Sequence, residues 1–435
     1  MADLTRTRRV RSVRTFSRPT TTPSVPVGRI SVVLLVLALV GCSGTSATAV
    51  PASTPIPTSE ATTTTTTAPR PDTPPPDFAA ITPEAAGFDA TKLDSIKIDA
   101  EVAGSNCFLV LRDGHVVSES YWRGGGQSKP QEVWSMSKSF TSALVGLAQS
   151  NGKLSIDDRA SKYISEWRDG PSDTVTVKNL LSADSGRYWD YGTDYLKMAA
   201  GAADKTAFSI ALDQQSPPGT NWVYNNAAVQ TLSRVLSDTT GVEPGDYAVD
   251  QLFRPLGMAD TSIKSDPSGH SLTFMGVQST CRDAARFGAL FMAHGRSGST
   301  QILPESYVSQ SLSPSQELNK GYGYLWWLNT PGLTGGNQRA TAGASATTTT
   351  PSTTVPGAVA TDTHRQMAPG APEDMFWALG LGDQILQMDP GSNTIVVRLG
   401  PAGSSPGTTK FRQTDAARVV TEALLSPGHE TSPSR

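Results

Sequence analysis

The chain has 435 residues, a length that suits one large domain or two ordinary ones. It contains 39 Gly and 31 Pro, so part of it is predicted to lack regular structure. Residues 1–41 hold seven of the 36 basic and one of the 39 acidic residues, which leaves the rest with a net charge of −9. Such an acidic body argues against nucleic-acid binding. Five His and three Cys without metal-ligand spacing argue against a metal site.

An export signal is predicted at residues 1–41. Seven Arg accompany an apolar stretch at residues 30–40, which is too short for a membrane span of ~20 residues but suits a signal peptide. The stretch ends in LVGC at Cys42, which resembles the bacterial lipobox, in which the Cys is lipidated and becomes the first mature residue. The alternatives are a cleavable signal with an incidental Cys and a twin-arginine signal at Arg8-Arg9. We expect a lipid anchor at Cys42 on the extracytoplasmic face of a bacterial cell membrane.

Three further segments contain few large apolar residues. Residues 42–79 are mostly Ser, Thr, Pro and Ala and cannot bury enough surface to offset the entropy of ordering, which predicts a disordered tether. Residues 331–372 are predicted to be a disordered insertion, and residues 426–435 a disordered tail. The globular body is therefore predicted to span residues 80–425.

The body mixes strands and helices. Apolar runs at 108–111 and 116–121 flank a turn centred on Asp113-Gly114 and predict a β-hairpin. Helical spacing of apolar residues predicts helices in 136–152, 225–236, 282–294 and 416–425, and late strands are predicted in 322–328, 376–388 and 394–399. This order predicts an α/β (α+β) fold. An antiparallel sheet, flanked by helices and built from both ends of the chain, would carry an inserted, mainly helical subdomain.

A Ser-Lys pair opens the first predicted helix. The motif SMSK runs from Ser135 to Lys138, and residues three apart lie on one face of a helix. A hydroxyl needs a base to become a nucleophile, and a Lys in a poorly solvated pocket can lose its proton and serve as that base. The alternative is a helix cap at Ser135 with an exposed Lys. Ser150 and Lys153 repeat the spacing, but Gly152 marks a helix end there, so we reject that pair.

Two further elements complete a candidate site. Tyr224 and Asn226 form the one Tyr-x-Asn triplet of the chain. A phenol beside a cation can act as a general acid or base, and Asn can donate to a substrate carbonyl. The sequence ALGLGDQ from Ala378 to Gln384 places Gly in a strand, where an N–H can complete an oxyanion hole. Taken singly, the alternatives are a turn Tyr with a helix-capping Asn, and a bulged core strand.

In order and spacing, the three elements resemble the serine β-lactamase/penicillin-binding superfamily, and within it the class C branch of β-lactamases, esterases and D-aminopeptidases. The sequences WSMSKSFT from Trp134, RPLGM from Arg254, RDAARFG from Arg282 and YGYLWW from Tyr322 match as well. The group that the chain resembles most is the 6-aminohexanoate-dimer hydrolase-like one. The resemblance covers about residues 82–425 and implies a β-lactamase/transpeptidase-like fold.

The resemblance also implies an acyl-enzyme mechanism. Ser135 would attack a carbonyl, Lys138 and Tyr224 would share its proton, and Tyr224 would protonate the leaving group. Asn226 would orient Lys138 and the substrate. The backbone N–H groups of Ser135 and Leu381 would form the oxyanion hole, and water would release the acyl group. No cofactor is implied.

The third element departs from the β-lactamase pattern of Lys or His, then Thr or Ser, then Gly. Here the aligned residues are Ala378, Leu379 and Gly380, so no cation or hydroxyl remains there to hold a carboxylate. Hydrogen bonds to charged groups contribute about 2 kcal/mol, so efficient β-lactamase activity is not expected. We expect a neutral ester or amide substrate. Because the 331–372 insertion directly precedes this strand, we hypothesise that it overhangs the pocket.

With Cys42 lipidated, Cys107 and Cys281 remain as a pair in an oxidising compartment and predict a disulfide, with two buried thiols as the alternative. Trp326 and Trp327 are expected in the core. Five aromatic residues are candidates to line an acyl pocket: Trp134, Tyr188, Trp189, Tyr191 and Tyr195.

The sequence therefore predicts an exported, lipid-anchored serine hydrolase acting on a small ester, amide or peptide substrate. The alternative among enzymes is a penicillin-binding D-Ala-D-Ala carboxypeptidase or a β-lactamase. The alternative outside enzymes is a catalytically silent envelope lipoprotein that keeps the fold for binding. The intact set of Ser135, Lys138, Tyr224 and Asn226 argues against silence, because a binder has no need of all four.

Overall fold

A computed structural model describes residues 77–333, 338–339, 365–402 and 409–425. The predicted signal peptide and Cys42, the tether up to residue 76 and the tail from residue 426 lie outside the described residues. Most of the predicted insertion lies outside them as well.

The strands of the described residues form one sheet of six strands and three small sheets. Their bounds are β1 Cys107–Arg112, β2 His115–Tyr121, β3 Gln131–Glu132, β4 Asn221–Trp222, β5 Ser262–Ile263, β6 Val277–Ser279, β7 Arg296–Ser297, β8 Thr300–Gln301, β9 Trp327–Leu328, β10 Gln338–Arg339, β11 Phe376–Gly380, β12 Gln384–Asp389 and β13 Thr394–Leu399.

The helices lie mostly between β2 and β11. The α-helices are α1 Ala90–Val102, α2 Ser137–Ser150, α3 Val177–Leu181, α4 Lys205–Ile210, α5 Asn226–Gln230, α6 Leu232–Thr240, α7 Pro244–Ala248, α8 Cys281–Met292, α9 Glu305–Ser311 and α10 Gln413–Arg418. Short 3₁₀ helices span Trp134–Met136, Ala160–Lys162 and Ser165–Trp167, and π-helical segments span Gly192–Gly201, Val249–Phe253 and Val419–Ala423.

The large sheet is antiparallel and is built from both ends of the domain, as the sequence predicts. Its strand order is β2-β1-β13-β12-β11-β9, so the N-terminal hairpin pairs with the C-terminal strands. The hairpin turn takes left-handed backbone at Asp113 (φ +50°) and Gly114 (φ +75°). Such angles at both central residues fit the twist of two antiparallel strands, which is why this turn is readable from local sequence.

Both faces of the sheet are covered. Side chains alternate along β1, so that Leu109 and Leu111 pack with α2 and α8 while Phe108 and Val110 pack with α1 and α10. The two terminal helices therefore form one outer layer, and the helical region between the strands forms the other. Burial on both faces explains why β12 and β13 are buried along their whole length.

Helix α2 runs through the core and carries the Ser-Lys motif at its start. Its residues from Ser137 to Ala148 are all buried, including five small polar or charged side chains. Two of the hydroxyls bind carbonyl groups of other segments: Ser139 donates to the Leu325 carbonyl (2.8 Å) and Thr141 to the Thr273 carbonyl (2.7 Å). These bonds fix α2 against the loops that surround the candidate site.

Three late elements differ from the sequence prediction. Residues 322–328 are predicted to be one strand, but only Trp327–Leu328 forms a strand and Tyr322 bridges back to Trp327, because the chain turns at Leu325, which takes a left-handed backbone (φ +61°). Residues 376–388 form the two strands β11 and β12 joined at Gly382 (φ +80°), not one. The predicted closing helix starts earlier, at Gln413, and becomes π-helical at Val419.

The folded domain also extends into both ends of the predicted insertion. Residues 331–333 and 365–372 are described, and Ala368 and Ala371 are buried. The Asn329 side chain holds this segment by accepting from the Ala368 N–H (2.8 Å) and donating to the Pro372 carbonyl (2.8 Å). Leu333 is buried as well, and Met367 packs against the core, but these few apolar residues are too sparse to show a pattern in the sequence.

Cys107 and Cys281 form the predicted disulfide, which joins the start of β1 to the first turn of α8. The bond ties the sheet to the inner helical layer across 174 residues of sequence. No helix within the described residues is long and apolar enough to cross a membrane.

Candidate active site

The site begins at a strained turn. Trp134 takes a left-handed backbone (φ +51°) immediately before Ser135, in the 3₁₀ helix that leads into α2. Such angles cost energy in a non-glycine residue and persist where the surrounding structure imposes them. The turn leaves Ser135 only partly buried, at the wall of a cavity, while Lys138 one turn later is 2% exposed.

Lys138 has three acceptors for its three N–H donors. Its Nζ lies 3.0 Å from Ser135 Oγ, 2.7 Å from Asn226 Oδ1 and 3.0 Å from the Phe274 carbonyl oxygen. It also lies 4.8 Å from the centre of the Tyr224 ring. Burial lowers the pKa of Lys138 to about 7, although the charge of Asp194 acts in the opposite direction. Near pH 7 the Lys138 amine is therefore neutral in a large fraction of the molecules.

Tyr224 lies beside both Ser135 and Lys138. Burial raises the pKa of its phenol, while a hydrogen bond with Ser135 acts to lower it, so the phenol stays protonated at neutral pH. Its ring stacks on Trp327 at 5.6 Å between centres. The two candidate groups thus differ in protonation: near pH 7 Lys138 can accept a proton and Tyr224 can donate one.

The two asparagines after Tyr224 do different work. Asn225 is the N-cap of α5, where its side chain accepts from the Ala228 N–H (2.9 Å). Asn226 is the first residue of the helix, is 3% exposed, and faces Lys138. The capping role that the sequence leaves open for this motif therefore falls to the middle residue, and the third is free to orient the lysine.

Sequence reasoning missed Asp194. This carboxylate is 1% exposed and lies behind Asn226. It accepts from Asn226 Nδ2 (2.8 Å), from the Ala227 N–H (2.8 Å) and from the Trp189 indole N–H (3.1 Å). Asp194 is 32 residues from Asn226 in sequence, and no local pattern marks it, because its partners arrive only through folding.

The end of β11 packs tightly on the nucleophile turn. A Cβ at Gly380 would lie 2.1 Å from the Val133 carbonyl oxygen, so only glycine fits there. This close approach brings Leu381, the next residue, to the wall of the cavity that Ser135 also lines. The predicted oxyanion pair of Ser135 and Leu381 therefore borders one cavity, but its catalytic role stays a prediction.

The cavity has a volume of about 830 Å³ and is mainly apolar. The lining residues with hydroxyl, amide or guanidinium side chains are Ser135, Tyr195, Tyr224, Asn226, Arg365 and Gln413. Its remaining lining residues are Trp134, Ala199, Ala200, Trp222, Phe274, Met275, Trp327, Leu333, Met367, Leu379, Gly380 and Leu381.

Two of the five aromatic candidates, Trp134 and Tyr195, line this cavity. The lining does not include Tyr188, Trp189 or Tyr191; the Trp189 indole instead binds Asp194. Trp326 is in the core as predicted, whereas Trp327 is only partly buried: it packs against the core and also lines the cavity. Among the described residues, no three His, Cys, Asp or Glu side chains lie together as metal ligands.

The fold, an antiparallel sheet built from both ends of the domain with a helical insert, is that of a β-lactamase-like serine hydrolase. A family model described as Beta-lactamase matches residues 100–418, and the chain belongs to that family. The resemblance noted from the motifs is thereby confirmed.

Individual relatives are distant. The chain is 26% identical over 219 residues to an Escherichia coli O157:H7 protein named "Putative D-alanyl-D-alanine carboxypeptidase", covering 43% of this chain and 50% of that protein. It is 24% identical over 242 residues to the 6-aminohexanoate-dimer hydrolase of Paenarthrobacter ureafaciens, covering 52% and 61%. The match thus spans only about half to three-fifths of these relatives.

A solved structure shares the fold. It is titled "Putative 6-aminohexanoate-dimer hydrolase from Bacillus anthracis" and superposes with a TM-score of 0.60 at 19% identity, covering 81% of this chain and 90% of that one. At this identity, the likeness supports the fold and not a substrate.

Proposed function

We propose that the protein is a serine hydrolase that cleaves ester or amide bonds through an acyl-enzyme on Ser135. The observation that carries the proposal is the position of Lys138. A fully buried amine with a pKa of about 7 lies 3.0 Å from a hydroxyl at a cavity wall. Such an amine can act as a base at neutral pH, which an exposed lysine cannot.

Hydrogen-bond counting supports the neutral amine. A neutral amine has two N–H donors, which match the acceptors on Asn226 and Phe274, and one lone pair, which is left to face Ser135. The hydroxyl then donates to Lys138. Tyr224 is the general acid in this proposal, because its raised pKa keeps its proton available.

Acylation forms one bond and breaks one. Ser135 Oγ attacks the substrate carbonyl while its proton moves to Lys138, and the N–H groups of Ser135 and Leu381 stabilise the oxyanion. As the bond to the leaving group breaks, Tyr224 protonates the leaving oxygen or nitrogen and recovers a proton from Lys138. Water then attacks the acyl carbon, and its proton returns through the same groups to Ser135. The rate should therefore fall below about pH 7, as Lys138 becomes protonated.

The cavity supports an apolar acyl group. Its lining includes Phe274, Met275 and Leu379, whose side chains offer contact area but no directional hydrogen-bonding group. We propose neutral esters and amides of apolar acids as the substrate class.

The test is hydrolysis of a short-chain p-nitrophenyl ester by the full chain, beside Ser135→Ala. We expect turnover that the substitution abolishes, and a covalent mass increment from a fluorophosphonate in the wild type alone. Ser150→Ala is the matched control, since that serine also precedes a lysine by three residues but bonds the Leu147 carbonyl at a helix end. Equal turnover by Ser135→Ala, or no labelling of Ser135, would refute the proposal.

A second candidate is a carboxypeptidase of the D-alanyl-D-alanine type. The observation in its favour is Arg365, an exposed cation among the lining residues, which can bind a substrate carboxylate. Acylation by penicillin, followed by mass, distinguishes the two: a stable penicilloyl adduct on Ser135 supports the peptidase, and its absence beside active ester turnover supports the esterase.

We further propose that the protein is exported and anchored by lipid at Cys42. The composition of residues 1–42 supports this, and so does the Cys107–Cys281 disulfide, because disulfides persist in oxidising compartments. Metabolic labelling with a fatty acid should mark the full chain and leave Cys42→Ala unlabelled. A wild-type chain that carries no label would contradict the anchor.

A further inference from the structure

Asp194 lies behind the proposed catalytic groups, with both carboxylate oxygens in use. Oδ1 accepts from the Ala227 N–H, while Oδ2 accepts from Asn226 Nδ2 and the Trp189 indole. It sits in the π-helical segment Gly192–Gly201, and its donors come from the first turn of α5 and the segment before it. A buried carboxylate with these donors stays in place.

This carboxylate decides which way the Asn226 amide faces. A carboxylate only accepts hydrogen bonds, so the NH₂ of Asn226 must point toward Asp194 and the amide oxygen toward Lys138. A flipped amide would direct its N–H groups at the Lys138 amine and its oxygen at the Asp194 carboxylate, which has no hydrogen to donate. The lysine then keeps an acceptor at 2.7 Å, which holds its Nζ in line with Ser135.

The groups that face Lys138 come from several elements. They are Ser135 from the 3₁₀ turn, Tyr224 and Asn226 from the start of α5, and the Phe274 carbonyl from the loop before β6. The Tyr195 phenol contacts Asn226 from the same helix as Asp194. Of these groups, Asp194 is the ionised one that raises the pKa of Lys138, against the larger effect of burial.

Resting on the proposed function, we propose that Asp194 is a positioning residue of the site. It orients the Asn226 amide and sets the pH at which Lys138 can take the Ser135 proton. It neither lines the cavity nor bonds Ser135, so it acts through its hydrogen bond to Asn226 and through the effect of its charge on Lys138.

The test is the pH dependence of kcat/KM for Asp194→Asn in the full chain, with active enzyme counted by fluorophosphonate titration so that misfolded protein is excluded. Removal of the negative charge lowers the pKa of Lys138, because it favours the neutral amine. The acidic limb of the plot of kcat/KM against pH should therefore move to lower pH by about one unit. The kcat per titrated site should fall about tenfold, because the amide loses its fixed orientation. Trp189→Phe is the matched control: it removes one donor to Asp194 but keeps the charge, and its limb should not move.

Asp194→Glu is the second variant, which keeps the negative charge. It keeps the proposal testable if Asp194→Asn does not fold. Its limb should stay at the wild-type pH while kcat falls. The proposal would be overturned if the acidic limb of the pH profile had its wild-type position in Asp194→Asn, or moved to lower pH in Asp194→Glu. Asp194 would then be a structural residue. Failure of the proposed function looks different: the wild type itself would show no turnover or no labelling of Ser135.

Discussion

Behind Ser135, the side chains of Lys138, Asn226 and Asp194 are buried and hydrogen-bonded to one another. In front of Ser135 lies a cavity whose walls are mainly aromatic and aliphatic. On the buried side hydrogen bonds hold each polar group in one position, so we expect this side to determine the proton-transfer steps. On the open side apolar contacts tolerate many shapes, so substrate preference is set there. Changes behind Ser135 should therefore affect all substrates equally, and changes in front should affect them selectively.

The largest effect is expected from Lys138→Met, which keeps the volume of the side chain but removes the base. We expect kcat to fall about 10³-fold for every ester tested, because Tyr224 holds its own proton and cannot replace the amine. Lys153→Met is the control, since that lysine is exposed at the rejected motif. Circular dichroism checks the fold, since the Asn226 and Phe274 oxygens lose a donor. If the loss of kcat differed between acyl groups, it would contradict the separation of a catalytic buried side from a substrate-selecting open side.

Gly380→Ala tests the contact between the end of β11 and the turn that carries Ser135. The new Cβ would lie 2.1 Å from the Val133 oxygen, so β11 must move away from the nucleophile turn. We expect kcat to fall about 10²-fold and the free energy of unfolding to fall by about 1–3 kcal/mol. Gly391→Ala is the matched control, because its Cβ would have no neighbour closer than 3.8 Å. Wild-type kcat in Gly380→Ala would remove the oxyanion role from this strand.

Arg365→Gln tests the selectivity of the open side. We expect kcat/KM for an anionic substrate, p-nitrophenyl hemisuccinate, to fall about threefold to tenfold, while the neutral butyrate ester is unaffected, because an exposed cation contributes modestly. Arg254→Gln is the control, since its guanidinium pairs with Asp250 at the surface. Equal losses for both esters would mean that Arg365 shapes the cavity instead of selecting charge.

The smallest effect on catalysis is expected from the double variant Cys107→Ser, Cys281→Ser. Neither residue lines the cavity, so kcat should stay within about twofold, while the free energy of unfolding falls by about 2–4 kcal/mol. Thermal unfolding with and without reductant measures this, and a wild type that is insensitive to reductant would contradict it.

The predictable parts of the molecule are those whose signals are local. The β-hairpin depends on Asp113-Gly114, and the Ser-Lys pair on one helical turn, so neighbouring residues suffice to find both. Asp194 and Trp327 depend on contacts between distant segments: one binds a residue 32 positions away, and the other stacks on Tyr224. Such partners leave no periodic pattern in the sequence, and an aromatic residue beside a core tryptophan looks like core.

The predicted strand at 322–328 failed for a related reason. Apolar and aromatic residues favour a strand there, but Leu325 turns the chain so that its N–H reaches the Leu181 carbonyl (3.0 Å). A tertiary hydrogen bond overrides the local preference, and the resulting turn accepts the Ser139 hydroxyl of α2.

One backbone detail has a practical consequence for protein engineering. The N–H groups of Gly332 and Leu333 both donate to the Arg365 carbonyl, so the residues on either side of the predicted insertion's middle part lie next to each other. Loop-closure entropy grows only slowly with loop length, so a longer segment inserted between β10 and Arg365 should cost little stability as long as β10 is kept. Because Leu333 and Arg365 line the cavity, a reporter or binding module inserted there would sit beside the substrate entrance. The same junction is therefore an attachment point beside the cavity that Ser135 lines.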